Sequence, residues 1–343
     1  MNKTIIDQFE KLVQQIEYDY THATPKDKMK HKFRLQNVKK SLIVLKKYPE
    51  EIKEGKQLKG VEGIGDHSIK RIDEILKTGK LKEVKLKTKD ESFVKSLEEL
   101  QSIIGIGNKL ATELITEHNI KSISELKNAV KKGKITLSPE VALGLRYLGI
   151  IKQDIPRFEM DMINEYLQKQ IKKVDDKLFG IVCGSYRRKK EKTSDIDLLI
   201  THPSIETKEE LESFETNYLK LLVDKLSDSG FLLDSLTPNF TSKYMGFCKF
   251  PSSSNKYPVR RIDIKYVPYK SYPASLLHLT GSGPFNNNMR KIAKKQGYKL
   301  NEYGLYKVVI ENNETKYKRV KVSSEEDIFK KLNMDYVAPE NRI

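Results

Sequence analysis

A pair of acids set into a run that must be buried constrains this chain more than any other feature. Asp195-Ile196-Asp197 leads directly into Leu198-Leu199-Ile200. On a strand, residues i and i+2 point to the same face about 7 Å apart. Two carboxylates at that spacing either share a pair of hard cations or form a solvated strand edge. Upstream, Leu178-Phe179-Gly180-Ile181-Val182-Cys183 has the character of a short buried strand ended by Gly184-Ser185. Ser185 is then expected at a helix start. There, free amides, a hydroxyl and the Arg188 guanidinium would face a triphosphate, because helix N-termini favour anions and arginine adds charge-assisted hydrogen bonds. A third acid, Asp263, lies in Arg260-Arg261-Ile262-Asp263-Ile264-Lys265. Ile262 and Ile264 alternate with Arg261, Asp263 and Lys265, which puts Asp263 on the polar face of a strand. In isolation that is an exposed edge with a salt bridge; beside Asp195 and Asp197 it completes a three-carboxylate metal site.

At 343 residues the chain is too long for one small core and suits two or more domains. Its formal net charge of +17 points to a polyanionic partner bound with an affinity that falls with salt. A Lys-, Asn- and Ile-rich composition explains part of that excess as a solvated surface, but the charge accompanies phosphate-binding motifs. Cys183 and Cys248 both lie in apolar, strand-like runs without metal-ligand spacing, as expected of reduced core residues in an intracellular protein. No apolar run reaches membrane-spanning length, and residues 1–7 lack the apolar core of a signal peptide. The sequence therefore predicts a soluble protein, not secreted and with no membrane partner.

Ile5, Ile6, Phe9, Leu12, Val13 and Ile16 are spaced as one face of a helix over residues 5–20. A second, Lys- and Arg-rich helix is expected over residues 27–47, ending before Pro49. Val61-Glu62-Gly63-Ile64-Gly65 precedes a helical pattern through Ile69, Ile72, Ile75 and Leu76. Ile103-Ile104-Gly105-Ile106-Gly107 is a near copy, followed by Leu110, Ala111, Leu114 and Ile115. Such glycines serve a plain turn, or a turn whose amides meet a phosphate. Residues 86–92 suit a linker, Ile155-Pro156-Arg157 marks the start of a further domain, and residues 160–171 read as helix. A charged helix is expected between residues 201 and 228, its inner face made by Leu211, Phe214, Tyr218, Leu221, Leu222 and Leu226. Strands follow at 231–236, 244–250 and 259–267, with Ser252-Ser253-Ser254-Asn255 as a hairpin loop. Helix, a glycine-rich turn at 281–283 and a helix carrying Asn286 and Arg290 one turn apart close the pattern. Nothing in residues 335–343 suggests chemistry.

Gly184-Ser185-x-Arg187-Arg188 with Asp195-x-Asp197, then Arg260-Arg261-Ile262-Asp263, then Leu279-Thr280-Gly281-Ser282 leading into Phe285-Asn286-x-Asn288-Met289-Arg290, resembles the family X DNA polymerases. The likeness runs from about Phe33 onwards. It implies an α+β multidomain protein: an all-α helix-hairpin-helix domain over 1–87 like the family's 5′-deoxyribose-phosphate lyase domain, and a second helix-hairpin-helix subdomain over 88–153. A nucleotidyltransferase-type α+β palm over 154–267 and a small α+β nucleotide-selection subdomain over 268–343 would follow. The implied activity is template-directed filling of short gaps in base-excision repair, by a monomer acting on gapped or nicked double-stranded DNA with dNTPs, in the nucleus or another DNA-containing compartment. Asp195 and Asp197 would bridge two Mg²⁺ ions; Asp263 would ligate the catalytic ion and accept the primer hydroxyl's proton. Gly184, Ser185, Arg188, Thr193 and Ser194 would hold the triphosphate, with His278, Leu279, Gly281 and Asn286 around the nucleotide. Arg261 and Arg290 would face DNA, as would Arg34, Arg71 and the hairpin glycines Gly63, Gly65, Gly105 and Gly107. Backbone carbonyls of Lys59, Val61 and Ile64, and of Gln101, Ile103 and Ile106, would each hold Na⁺ or K⁺.

The chain departs from the family pattern in two places. His278-Leu279 stands where relatives related to the family's gap-filling members have Tyr-Phe, beside the sugar's 2′ position. Arg71 stands at the lyase nucleophile, where Schiff-base chemistry needs a neutral amine that arginine cannot supply; Arg34 and Val38 likewise replace the usual lysine and tyrosine. Lys70 is adjacent to Arg71 but turned by about 100° on a helix, so the lyase is either weak or served by Lys70, with Arg71 as a phosphate clamp. Two other functions share these features. A template-independent terminal transferase would use the same carboxylates but carries an extra loop, for which there is no insertion at residues 236–244. A non-catalytic DNA-binding scaffold needs only the hairpins and the charge, and leaves the three carboxylates without a purpose.

Overall fold

The computed structural model describes residues 2–84, 88–151, 154–251, 257–311 and 314–342. The chain divides into two compact units, Met1–Leu145 and Arg146–Ile343.

The first unit is helical. Helix α1 (Lys3–His22) and α2 (Pro25–Lys47) pair along their length, and Thr24 caps α2 by accepting from the Asp27 amide. Ile5, Phe9, Leu12, Val13 and Ile16 are buried together with Val38 and Leu45 of α2. They meet Ile72 and Ile75 of α3 (Asp66–Thr78), so the α1 periodicity reads directly into a core. The basic outer face of α2 leaves Met29, Phe33 and Ile43 exposed. Helices α4 (Thr88–Gln101), α5 (Asn108–Thr116), α6 (Ile123–Lys131) and α7 (Pro139–Tyr147) complete the run. The linker expected over 86–92 lies partly outside the described residues; α4 takes up its second half.

The second unit is built on a five-stranded sheet. In chain order it contains β1 (Ile155–Pro156), α8 (Arg157–Val174), β2 (Phe179–Val182), α9 (Gly184–Arg187), β3 (Lys192–Thr193) and β4 (Ile196–Thr201). Next come α10 (Lys208–Ser213), α11 (Tyr218–Asp228), β5 (Leu232–Ser235), β6 (Lys243–Cys248) and β7 (Arg260–Tyr266). Then follow α12 (Tyr272–Thr280), α13 (Gly283–Lys295), β8 (Tyr298–Asn301), β9 (Gly304–Glu311), β10 (Glu314–Arg319) and α14 (Glu325–Lys331). The sheet order is β2-β4-β7-β6-β5, with β4 parallel to β7 and the other pairs antiparallel. Helices α8 and α11 cover it, burying Met160, Ile163, Leu167, Leu219, Leu222 and Leu226 against Leu198, Ile200, Ile262 and Ile264. Strands β8, β9 and β10 form a separate meander against α12, α13 and α14. This is the α+β architecture the sequence implies.

The helix expected across 201–228 is two helices. Asn217 caps α11 by accepting from the Lys220 amide. The break resets the phase, so the buried stripe of α11 is Leu219, Leu222, Val223 and Leu226, while Phe214 and Leu221 are exposed. The hairpin loop expected at 252–255 lies outside the described residues. Cys183 and Cys248 are both buried and free. Among the described residues, no helix is long and apolar enough to cross a membrane.

Candidate active site

Parallel pairing of β4 with β7 sets Asp197 directly opposite Asp263 in register. The end of β2 brings the adjoining turn to the same place: the Cys183 amide donates to the Asp197 carbonyl at 2.7 Å, and Gly184 lies beneath the Asp197 side chain. A Cβ at Gly184 would stand 2.7 Å from Asp197 Oδ2, and φ here is +59°, so both close approach and backbone conformation require glycine. Asp195 precedes β4 and accepts from Ser194 Oγ at 2.9 Å; Asp263 accepts from Arg261 Nε at 2.9 Å. Burial, followed by the charges of Asp195 and Asp263, outweighs Arg188 and Arg261 and pushes Asp197 up to about 7. Asp195 and Asp263 therefore both act on Asp197 at one end of β4 and β7.

Among the described residues, no three His, Cys, Asp or Glu side chains stand pre-formed around a single point. Asp195 and Asp263 are occupied by Ser194 and Arg261 instead. The donor set is nevertheless all carboxylate oxygen, which suits hard divalent cations, and Asp197, raised first by burial and then by its acidic neighbours, is a group whose charge such a cation would stabilise.

The helix expected to open at Ser185 is a single turn, α9, because the chain must reverse to pair β3 with β1. What faces the acids is thus a tight turn with its amides and arginines, without the dipole of a long helix. Its two guanidinia diverge. Arg188 Nη1 donates to the Thr280 carbonyl, and Arg188 is, with Arg261, one of two cations acting on Asp197. Arg187 donates to Thr280 Oγ1 at 2.6 Å and to Glu325. Arg157 Nη1 reaches the Tyr186 carbonyl at 3.2 Å and braces the turn from α8. Thr193 is buried in the β1–β3 pair, and Ser194 is exposed.

The end of α12 forms the opposite wall. Gly281, with φ +70°, would place a Cβ 3.0 Å from Arg188 Nη1. Asn286 Nδ2 donates to the His278 carbonyl at 2.7 Å, and Arg290 Nη2 meets His278 Nδ1 at 3.1 Å. Arginine can only donate, which leaves His278 Nδ1 as acceptor and its proton on Nε2, 3.9 Å from Glu302 Oε2. Burial lowers the His278 pKa, aided by Arg290 and Lys265 and opposed by Glu302. Lys265 Nζ in turn lies 3.3 Å from Glu302 Oε1. A cleft of about 600 Å³ has Asp197, Asp263, Lys265, His278, Leu279 and Glu302 in its walls.

In the first unit the two Gly-x-Gly segments fold alike. Gly63 and Gly105 take φ +94° and +92°, and Gly65 and Gly107 immediately precede α3 and α5. The Val61 carbonyl accepts from the Ile64 amide and the Ile103 carbonyl from the Ile106 amide, both at 3.1 Å. Lys59, Gln101, Gly65 and Gly107 are exposed. Arg71 is engaged elsewhere: its Nε donates to Glu83 Oε1, and Arg34 Nη2 donates to Glu83 Oε2 at 2.7 Å. Burial would raise Glu83, but Arg71 and Arg34 hold it below the usual carboxylate range. Lys70 is exposed on α3.

Sequence reasoning missed Glu83, Glu302, Glu325 and Arg342. Glu83 carried a signal as the lone acid in a lysine-rich stretch, residues 79–89. The others meet their partners only through distant folding.

A mixed sheet with paired carboxylates at one end, a phosphate-type turn beside them and a helical wall opposite defines a palm and thumb of nucleotidyltransferase type. Residues 154–269 match the DNA polymerase beta palm, residues 275–343 the DNA polymerase beta thumb and residues 1–81 a helix-hairpin-helix domain. The chain is 30% identical to DNA polymerase lambda of Rattus norvegicus over 323 residues, covering 91% of this chain and 52% of the relative. It is 30% identical to DNA polymerase lambda of Arabidopsis thaliana over 319 residues, covering 88% and 56%. To the DNA-directed DNA/RNA polymerase mu of Homo sapiens it is 26% identical over 337 residues, covering 90% and 64%. The chain belongs to the family X DNA polymerases. It spans between about half and two thirds of the length of these relatives.

Proposed function

We propose that this protein is a template-directed DNA polymerase that fills short gaps during base-excision repair, taking dNTPs and gapped or nicked double-stranded DNA as a monomer inside a DNA-containing compartment. The observation that carries this reading is the in-register pairing of Asp197 with Asp263 beside the 184–188 turn. The primer 3′-hydroxyl attacks the α-phosphorus in line and pyrophosphate leaves. Mg²⁺ held by Asp195, Asp197 and Asp263 supplies Lewis-acid activation of the hydroxyl and neutralises charge on the phosphates. Asp263 takes the hydroxyl proton. Ser185, Arg188, Ser194 and the Gly184 and Thr193 backbone hold the triphosphate. Gly281 lets the α12 end approach it, while Leu279, His278 and Asn286 border the sugar and base. Arg290 and Arg261 serve the DNA side.

In the first unit, Gly63, Gly65, Gly105 and Gly107 open phosphate-facing turns, with Na⁺ or K⁺ held by the carbonyls of Lys59, Val61, Ile64, Gln101, Ile103 and Ile106. The four-part division at 87, 153 and 267 follows these roles. The lyase is either weak or served by the exposed Lys70, while Arg71 and Arg34 are drawn onto Glu83.

Primer extension with Mg²⁺ on one-nucleotide-gapped, open-template and single-stranded DNA tests the reading. A preference for a gap bearing a 5′-phosphate, with the templated nucleotide added, is expected. Untemplated addition to single strands would make it a terminal transferase, and binding without addition a scaffold.

A further inference from the structure

Outside the carboxylate site, two buried charged side chains, Glu325 and Arg342, join the half-buried Arg187 in the second unit. Glu325, 4% exposed at the start of α14, accepts from Arg187 Nη2 at 2.6 Å and from Arg187 Nη1 at 3.1 Å. On its other side it accepts from Arg342 Nη1 at 2.6 Å. Arg342 is 1% exposed. It gives Nε to the Val337 carbonyl at 2.9 Å and is enclosed by the rings of Phe285, Phe329 and Tyr336, each 5.6 Å away. Residues 335–343, in which the sequence suggests no chemistry, thus contribute the most deeply buried charge of the cluster.

Apolar side chains of similar volume commonly stabilise a fold as well as a buried ion pair does, so stability alone gives little reason for two cations on one carboxylate here. The connection to the 184–188 turn supplies another reason. Arg187 also donates to Thr280 Oγ1, while its neighbour Arg188 donates to the Thr280 carbonyl. Two consecutive guanidinia therefore straddle Thr280, and Glu325 separates their tasks. Neutralised by Glu325, Arg187 is a strut between α9 and α12; Arg188 remains, with Arg261, a cation acting on Asp197.

We propose that Glu325 and Arg342 are positioning residues for the nucleotide, pinning the phosphate-binding turn through Arg187 so that Ser185 and Arg188 meet the triphosphate in fixed geometry. This rests on the polymerase reading above. Arg342 acts one step further back, orienting the Glu325 carboxylate and sharing its charge.

Two measurements on the full chain test this: the melting shift produced by dCTP with Mg²⁺, and single-nucleotide gap-filling kinetics. In Arg342→Met the nucleotide-induced shift is largely lost and KM for dCTP rises about tenfold, with kcat and gapped-DNA affinity within about twofold of wild type. Arg342→Lys recovers part of the loss, because its ammonium still meets Glu325. Glu325→Gln matches Arg342→Met, and the double variant adds little further, as expected of residues acting in series. An unchanged nucleotide-induced shift and KM in Arg342→Met and Glu325→Gln overturns the proposal, even if both variants melt earlier. Should Arg342→Met not fold, Arg342→Lys and Glu325→Gln decide by the same comparison. Wild type that shows the shift but adds no nucleotide contradicts the polymerase reading alone; wild type that shows no shift contradicts both.

Discussion

Asp197 is the residue on which the electrostatics of the site converge. Its folded pKa is raised to about 7, so between the ordinary carboxylate value and that point the folded protein binds more protons than the unfolded chain. The stability this group contributes is full below the unfolded value and is lost as pH rises through about 7. Cation-free protein should accordingly melt earlier at about pH 8 than at about pH 6, and added Mg²⁺ should raise the melting temperature more at the higher pH. Asp197→Asn should flatten both responses; an Mg²⁺ effect equal at the two pH values in wild type would contradict this picture. Gly184→Ala meets Asp197 from below. It forces a side chain into a left-handed backbone conformation, at a cost of about 1–3 kcal/mol, and it presses on the Asp197 carboxylate. Gap filling should fall by more than the melting loss explains, and full activity in that variant would separate the turn from the site. At the opposite wall, His278→Tyr removes the acceptor for Arg290 but keeps the backbone carbonyl that binds Asn286. Discrimination between matched ribo- and deoxynucleotides should change if the side chain sets it; a ratio unaltered by the substitution assigns it to the backbone.

Elements were legible in proportion to how local their causes are. The α1 stripe, the end of α2 before Pro49 and the two Gly-x-Gly turns follow from neighbours in sequence, and each stands where its periodicity or glycine pattern puts it. The break between α10 and α11 was hidden because Leu221 and Phe214 fit a continuous helical face, whereas the Asn217 cap resets the phase. The grouping of Asp263 with Asp195 and Asp197 was legible from their settings, but the parallel pairing of β4 with β7 across intervening helices and strands, whose register brings Asp197 to Asp263, was not. Helix α3 shows the same limit at the position the resemblance gives to the lyase nucleophile. Its Arg71 reads as a free cation until Glu83, beyond the end of the helix, is found against it together with Arg34. Glu83→Gln should loosen the hold on Arg71, while Asp19 still stands 3.7 Å from Arg34, and tighten binding to 5′-phosphorylated gaps several-fold, measured by fluorescence anisotropy. Borohydride trapping on an incised abasic site should give an adduct that is either weak or lost in Lys70→Ala; a strong adduct surviving that change would place the nucleophile on another lysine.

At the scale of the whole molecule, the proposed polymerase function assigns the +17 charge to holding DNA and the carboxylate site to acting on it. Lys and Arg bind the backbone without reading sequence, so affinity for gapped DNA should drop steeply, by an order of magnitude or more, between about 50 and 200 mM salt. The chemistry should depend instead on three side chains that bring negative charge to the site. Single-turnover addition of a templated nucleotide to a one-nucleotide gap, with Mg²⁺ and with DNA binding matched, compares wild type with Asp263→Ala most directly. The expected result is addition of the templated nucleotide by wild type and none by the variant, at equal DNA affinity; addition that persists in Asp263→Ala, or wild type that binds the gap and leaves it unfilled, would contradict the assignment of this site.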